Sequence, residues 1–246
     1  MFAQKYYKYP RTFHFPWSEN LQNDDRRLLS LDGFLGKDVV VTEKLDGENT
    51  NLYSKHIHAR SPDSNDHPSR HWIKALHATV NYQIPSGWRI CGENMFALHS
   101  IYYEELTSYF YVFSIFDEHN NCLSWDDTED FCKILELQTV PVLYKGPWDE
   151  EAIKNCHSDK SAFKGLTPKP SIKEFGDFRS KIMNSDDLSL FADETQEGYV
   201  CRVSNAFDFK HYDKYVAKFV RKSHVKSSNN WMTEVVIPNK LKEEVC

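Results

Sequence analysis

The sequence predicts an α+β fold in which antiparallel sheets carry helices packed outside them. Three observations lead there. Tyr, Phe and Trp number 13, 16 and 6, residues that suit strands and packed surfaces better than a helical bundle. β-forming runs at 39–42 and 109–117 stand apart from stretches with helical periodicity. Strands and helices do not alternate in the order that builds a parallel sheet.

Residues 1–20 form an aromatic and basic arm, with Lys5, Tyr6, Tyr7, Lys8, Tyr9, Arg11, Phe13, Phe15 and Trp17. Such interleaving can stack bases and hold phosphates; the plainer expectation is an arm packed on the core with solvated lysines. Residues 38–44 read as a strand. Its alternation puts Val39, Val41 and Glu43 on one face, and Val40, Thr42 and Lys44 on the other. Asp46-Gly47 reads as a turn, and residues 50–61 as a second strand returning in a hairpin, with His56, His58 and Arg60 on one face. After a polar loop, Ile73, Leu76 and Val80 recur at helical spacing, predicting a helix over 70–82. Strands follow at 88–93 and 109–117. Ser124 caps a helix to residue 137, with Asp127 completing a capping box. A short strand at 141–144, helices at 149–156 and 173–183, and strands at 197–203 and 214–225 complete the pattern, before a short tail with charged ends.

The 246 residues read as one domain, with a motif-bearing core at 38–226 behind the arm. The net charge of −6 gives no global attraction to nucleic acid, so a polyanion would need a local patch. One is available: Lys210, Lys214, Lys218, Arg221, Lys222 and Lys226 face only Asp213. Six scattered cysteines without a C-x-x-C pair exclude a zinc ribbon and read as reduced thiols in a cytoplasmic protein. Cys91 and Cys201 read as small buried hydrophobes. Eleven histidines lack zinc-site spacing, and His58, two residues before Arg60, is the one best placed to meet a substrate. No run is long and apolar enough for a membrane span.

Chemistry gathers at strand ends. Lys44 and Asp46 flank Leu45 before Gly47, Glu93 follows a glycine, Glu197 precedes one, and Lys218 lies between Val216 and Val220. A lysine desolvated at the end of an apolar strand is expected to have a lowered pKa, and thereby to become a nucleophile. Mixed charge around a cleft suits a nucleoside triphosphate with its metal: lysines for phosphates, carboxylates for metal or ribose, aromatics for the base.

In order and spacing, Lys44-Leu45-Asp46-Gly47, Gly92-Glu93, the aromatic run 109–117, Glu197-Gly198-Tyr199-Val200 and Lys218 resemble the covalent nucleotidyltransferases, the superfamily of ATP-dependent ligases and mRNA capping enzymes. Within it the chain is most similar to the RNA ligase 2 type. Asn49 stands five residues after the lysine, where DNA ligases and capping enzymes usually carry arginine. The resemblance spans residues 39–221 and implies the nucleotidyltransferase fold, twisted antiparallel sheets flanked by helices around an ATP cleft.

It also implies roles. Lys44 would be the nucleophile that accepts AMP from ATP. Asp46 would orient Lys44, lower its pKa, or act on a 3′-hydroxyl. Glu43 belongs with the nucleotide-binding residues, and Asn49 would hold phosphates or the metal's water shell. Glu93 would bind the ribose, and Phe113, with Phe116 as a rival, would stack on adenine. Glu197 would bind Mg²⁺ or Mn²⁺, and Lys218 would contact the α-phosphate. Arg60 and Arg221 would meet RNA. The implied activity is ATP-dependent joining of a 5′-phosphate to a 3′-hydroxyl on nicked or broken RNA, through lysyl-AMP, by a monomer with no membrane partner. Two departures stand out: one lysine, not two, fills the last motif, and little chain follows Arg221 for the family's C-terminal domain. The alternatives are a DNA ligase, a capping guanylyltransferase, or a non-catalytic nucleotide- or RNA-binding module.

Overall fold

The computed structural model describes residues 5–19, 21, 25–157, 160–168, 182, 191–192, 196–222 and 235–243. The first strands are β1 (Phe13–His14), β2 (Asp38–Glu43), β3 (Glu48–Tyr53), β4 (His56–Ala59) and β5 (Arg89–Asn94). Next come β6 (Tyr102–Tyr103), β7 (Phe110–Phe116), β8 (Asn121–Cys122), β9 (Gln138–Thr139) and β10 (Val142–Pro147). The last are β11 (Gly165–Pro168), β12 (Phe191–Ala192), β13 (Gly198–Val203), β14 (Phe207–Asp208) and β15 (Val216–Val220). Among the described residues, α1 (His71–Val80), α2 (Trp125–Ile134), α3 (Glu150–Lys154) and the short α4 (Tyr212–Tyr215) lie between strands.

One sheet has the order β1-β15-β13-β2-β10, and a second β14-β8-β7-β5-β3-β4 with β9 alongside β7. A small third sheet joins β12, β11 and β6. The valine run of β2 is buried from Val39 to Glu43 because β13 and β10 flank it and both its faces are covered. Val39, Val41, Cys201 and Ala217 of the first sheet pack with Cys91, Phe116 and Cys122 of the second in one core. Ile73 and Val80 of α1 and Cys132 of α2 pack on Leu52, Ile90, Val112 and Ile115, so these helices cover the outer face of the second sheet. Ser124 caps α2 through the Asp127 amide, as its sequence signature predicts. Among the described residues, no helix is long and apolar enough to cross a membrane.

Several expectations are corrected. β2 and β3 are not a hairpin. β2 pairs with β13 and β10, whereas β3 pairs with β4 and β5, so residues 44–47 cross from one sheet to the other. The hairpin belongs to β3 and β4. The physical reason lies at Asp46, whose carboxylate accepts from the Ser100 amide at 2.8 Å, the Ser100 hydroxyl at 2.5 Å and the Ile101 amide at 3.1 Å. Those bonds tie the crossing to another loop. The strand expected over 214–225 is shorter: residues 212–215 form a helical turn before β15. It is also flanked on both sides, by β1 and β13, so it is no solvated edge.

The tail is not a loose end where it is described. Asn239 is buried, accepts from the Tyr103 amide at 2.9 Å and donates to the Met95 carbonyl at 2.7 Å, tying residues 235–243 to the loop after β5. The helix expected at 173–183 lies outside the described residues, as do Lys226 and the end of the 214–225 run. The arm packs on the core as expected: Phe15 and Tyr9 are buried, while Lys5 and Lys8 are exposed.

Candidate active site

A cavity of about 340 Å³ opens between the two main sheets. The first sheet contributes Thr42, Glu43, Val200, Val216 and Lys218, and the second Asn49, Glu93, Phe113 and Ser114. Lys44 enters from the crossing segment, Arg60 from the end of β4, and Tyr9 to Thr12 from the arm.

Lys44 is fixed by its backbone, its amide donating to the Gly198 carbonyl at 2.9 Å. Its amine donates to Glu197 Oε2 at 2.5 Å, and the Glu197 side chain is 3% exposed. Burial works to lower the Lys44 pKa, but the charges of Glu197, Glu93 and Asp46 outweigh it, and the amine is held above its ordinary value. The lowered pKa expected of Lys44 is therefore wrong for the nucleotide-free protein. So is the idea that Asp46 lowers it, because a neighbouring carboxylate favours the cation. Asp46 is not among the cavity's lining residues; its carboxylate is engaged by Ser100 and Ile101.

The depressed lysine is Lys218, pushed down to about 8. Burial is the main cause, followed by the like charge of Lys44, against the opposing pull of Asp25 and Glu197. Its amine lies 3.4 Å from Asp25 Oδ1. Glu93 is pushed up to about 8, chiefly by burial, which the charge of Lys44 opposes and that of Glu197 reinforces. Its Oε1 accepts from the Gly47 amide at 3.2 Å. A Cβ on Gly47 would come within 2.6 Å of the Asn94 carbonyl oxygen, so only glycine passes here. At Gly198 a Cβ would sit 2.0 Å from the Phe219 carbonyl oxygen. Glycine therefore lets β13 run close against β15; Glu197, the residue before Gly198, is not among the cavity's lining residues and meets the site through Lys44.

Glu43 is buried, and its Oε2 accepts from the Ala162 amide at 2.9 Å. Burial raises its pKa against the hydrogen bonds from Ser161 and Ala162. Asn49 Oδ1 accepts from Asn51 at 3.1 Å, leaving its amide group beside the cavity it lines. Arg60 Nε donates to the Tyr9 carbonyl at 3.2 Å. Arg221 is not among the lining residues; its amide donates to the Glu197 carbonyl at 3.2 Å, next to the Lys44 partner.

Phe113 and Phe116 are placed differently. Cys91 pairs with Ser114 and Gly92 with Val112, so Phe113 is the extra residue of a β-bulge. A bulge re-aims its side chain, and Phe113 lines the cavity beside Ser114. Phe116 is fully buried beneath the Arg89 guanidinium, 3.9 Å from its ring centroid. His58 is also no substrate group here: it is buried, with Nδ1 2.5 Å from the Ala59 carbonyl. Cys91 and Cys201 are buried, and burial pushes both thiols up, as small core residues require.

Sequence reasoning missed Asp25, Arg202 and Tyr9 as lining residues. Tyr9 could have been found in the aromatic arm. Asp25 carried no signal, because its partner is nearly two hundred positions away, |i−j| = 193. Among the described residues, no group of three or more His, Cys, Asp or Glu side chains is assembled to hold a metal ion.

Two antiparallel sheets enclosing a cavity, with a strand-end lysine against a carboxylate, define a nucleotidyltransferase fold. The chain belongs to the RNA ligase family, whose pattern matches residues 37–220. No curated protein matches the sequence. Among solved structures, a Naegleria gruberi RNA ligase variant in its apo form is similar at a TM-score of 0.51 and 16% identity, over 87% of this chain and 57% of that one. Another variant of that ligase, with ATP and Mn, has a TM-score of 0.48 and 16% identity over 78% of this chain and 52% of that one. An archaeal ATP-dependent RNA ligase has a TM-score of 0.47 and 14% identity, over 87% and 48%. The chain spans about half the length of these ligases, and at 16% identity the likeness to the apo variant is one of fold.

Proposed function

We propose that the protein is an ATP-dependent RNA ligase that stores AMP on Lys44 and uses it to join a 5′-phosphate to a 3′-hydroxyl. The observation that carries the reading is the pair of lysines in one cavity. Lys44 is paired to Glu197 at 2.5 Å, and Lys218 lines the same wall with a depressed pKa. A pure binder has no need of a nucleophile held at a strand end.

In the first step Lys44 attacks the α-phosphorus and pyrophosphate leaves. The amine must lose its proton, and Glu197, its direct partner, is the nearest group able to take up or release it. Lys218 faces the charge that builds on the α-phosphate. Phe113 offers a ring to adenine and Glu93 a carboxyl to the ribose. Glu93's raised pKa fits it to hydrogen-bond a hydroxyl while adding little charge beside phosphates. AMP then passes to a 5′-phosphate, and a 3′-hydroxyl displaces it. Arg60 and Arg11, which line the cavity, would meet the RNA ends.

A divalent ion fits this donor set only with help from the nucleotide. Glu197 is the one buried carboxylate on the amine, and Mg²⁺ typically takes one or two carboxylates together with substrate phosphates and water. When bound it would neutralise phosphate charge and release Lys44 from its ion pair.

The test is intact mass after incubation with ATP and Mg²⁺, wild type beside Lys44→Ala. A gain of one AMP that pyrophosphate removes, absent from the variant, supports the reading. No adduct on protein first stripped with pyrophosphate overturns it. GTP in place of ATP would instead favour a capping enzyme.

A further inference from the structure

The lysine of the last motif is held by the first strand of the chain. β1 runs parallel to β15, with His14 in register with Lys218. Lys218 Nζ lies 3.4 Å from Asp25 Oδ1, and the other carboxylate oxygen, Oδ2, lies 3.1 Å from His14 Nε2. His14 is 1% exposed, and its Nδ1 is 2.7 Å from the Ser18 hydroxyl. That hydroxyl accepts from the Val220 amide at 3.0 Å. The connections thus form a closed circuit: from Lys218 through Asp25, His14 and Ser18 back to the same strand two residues later.

We infer that Asp25 and His14 are positioning residues for Lys218, an inference that rests on the nucleotide-cleft reading above. Two carboxylates compete for this amine. Asp25 touches it from the arm side, while Glu197 acts on it from the Lys44 side. Glu197 is already the partner of Lys44. If Asp25 were absent, Lys218 would turn to Glu197 and intrude on the nucleophile's ion pair. Asp25 keeps the two lysines apart, one for the α-phosphate and one for attack. The 3.4 Å separation marks an orienting contact more than a strong bond. His14 fixes which way the carboxylate points, as an outer partner does for a ligand residue, and Ser18 fixes His14.

The experiment is a double-mutant cycle on Asp25 and Lys218, read by the Kd of α,β-methylene-ATP in calorimetry and by the rate of AMP transfer to Lys44. Asp25→Ala should weaken binding and slow transfer by roughly tenfold or more, the cost of an ångström-scale misplacement. In a Lys218→Ala background the same change should cost less than about twofold, because residues acting through one another are not additive. Asp25→Asn, which keeps the shape, serves if Asp25→Ala does not fold. His14→Gln should follow Asp25→Ala in direction. Equal losses in both backgrounds would make Asp25 a structural residue only, and tighter binding in Asp25→Ala would make it a competitor of phosphate; either overturns the inference. If analogue binding shows the coupling but wild type forms no adduct, the ligase reading fails and the positioning pair stands. If the wild type binds no nucleotide, both fall.

Discussion

Raising the pH should uncharge Lys218 well before Lys44. Lys218 has been pushed down to about 8, whereas Lys44 is held above its ordinary value by three carboxylates. A phosphate in the cavity needs the cationic form of Lys218 and, once bound, holds the proton on it. Binding below the free-protein pKa therefore requires no proton uptake, while binding above it does. Each pH unit beyond that point costs about tenfold in affinity, about 1.4 kcal/mol. From about pH 7 to pH 9 the Kd for a non-hydrolysable ATP analogue should rise roughly tenfold through this group alone. Glu93 titrates in the same range and adds a negative charge as pH rises, which also weakens binding. Lys218→Arg separates the two, because a guanidinium stays charged throughout while Glu93 is unchanged. Calorimetric titrations of both proteins across this range should give a steep wild-type profile and a flatter variant. Parallel profiles would refute the assignment of the low pKa to Lys218.

Three further outcomes rest on the packing. Phe113→Ala should weaken nucleotide binding by roughly 1–3 kcal/mol, the worth of an aromatic stack on a base, with little change in melting temperature. Phe116→Ala should do the reverse, because it opens a cavity beneath Arg89. Arg70→Ala would strand the buried Glu48 carboxylate, which Arg70 grips with two guanidinium nitrogens. Breaking a buried pair this way costs about 3–5 kcal/mol, so a melt should show a drop of roughly 6–20 °C. A smaller drop would mean that water reaches Glu48.

Much of the site was legible because its residues sit beside punctuation. Lys44, Glu93 and Glu197 each adjoin or closely precede a glycine at the end of a strand, and the strands themselves are plain from their alternation. The bulge at Phe113 was not legible, since a bulge is a mismatch between two strands and no single strand records it. The sign of the Lys44 shift was missed for a related reason. Desolvation can be read from apolar neighbours in sequence, but the opposing carboxylates come from β5, from the residue before β13 and from the crossing itself. Asp-Gly misled because the dipeptide allows a tight turn without requiring one, and Ser100 offered Asp46 a better partner. The packing of Asn239 was hidden because its partners Tyr103 and Met95 lie far away in the sequence, at |i−j| of 136 and 144.

The pairing of Phe13 with Ala217 bears on how the protein is made. Tyr9 to Thr12 line the cavity on one side, and Lys218 lines it from a strand far later in the sequence. Most of the chain must therefore leave the ribosome before the two meet, and pairings so distant in sequence are slow to form. A nascent chain lacking β15 exposes the flank of β13 and a half-built basic cleft, an unpaired strand of the kind that invites misassociation. On the proposed reading, nucleotide can be engaged by both lysines only once the arm and β15 have closed on each other.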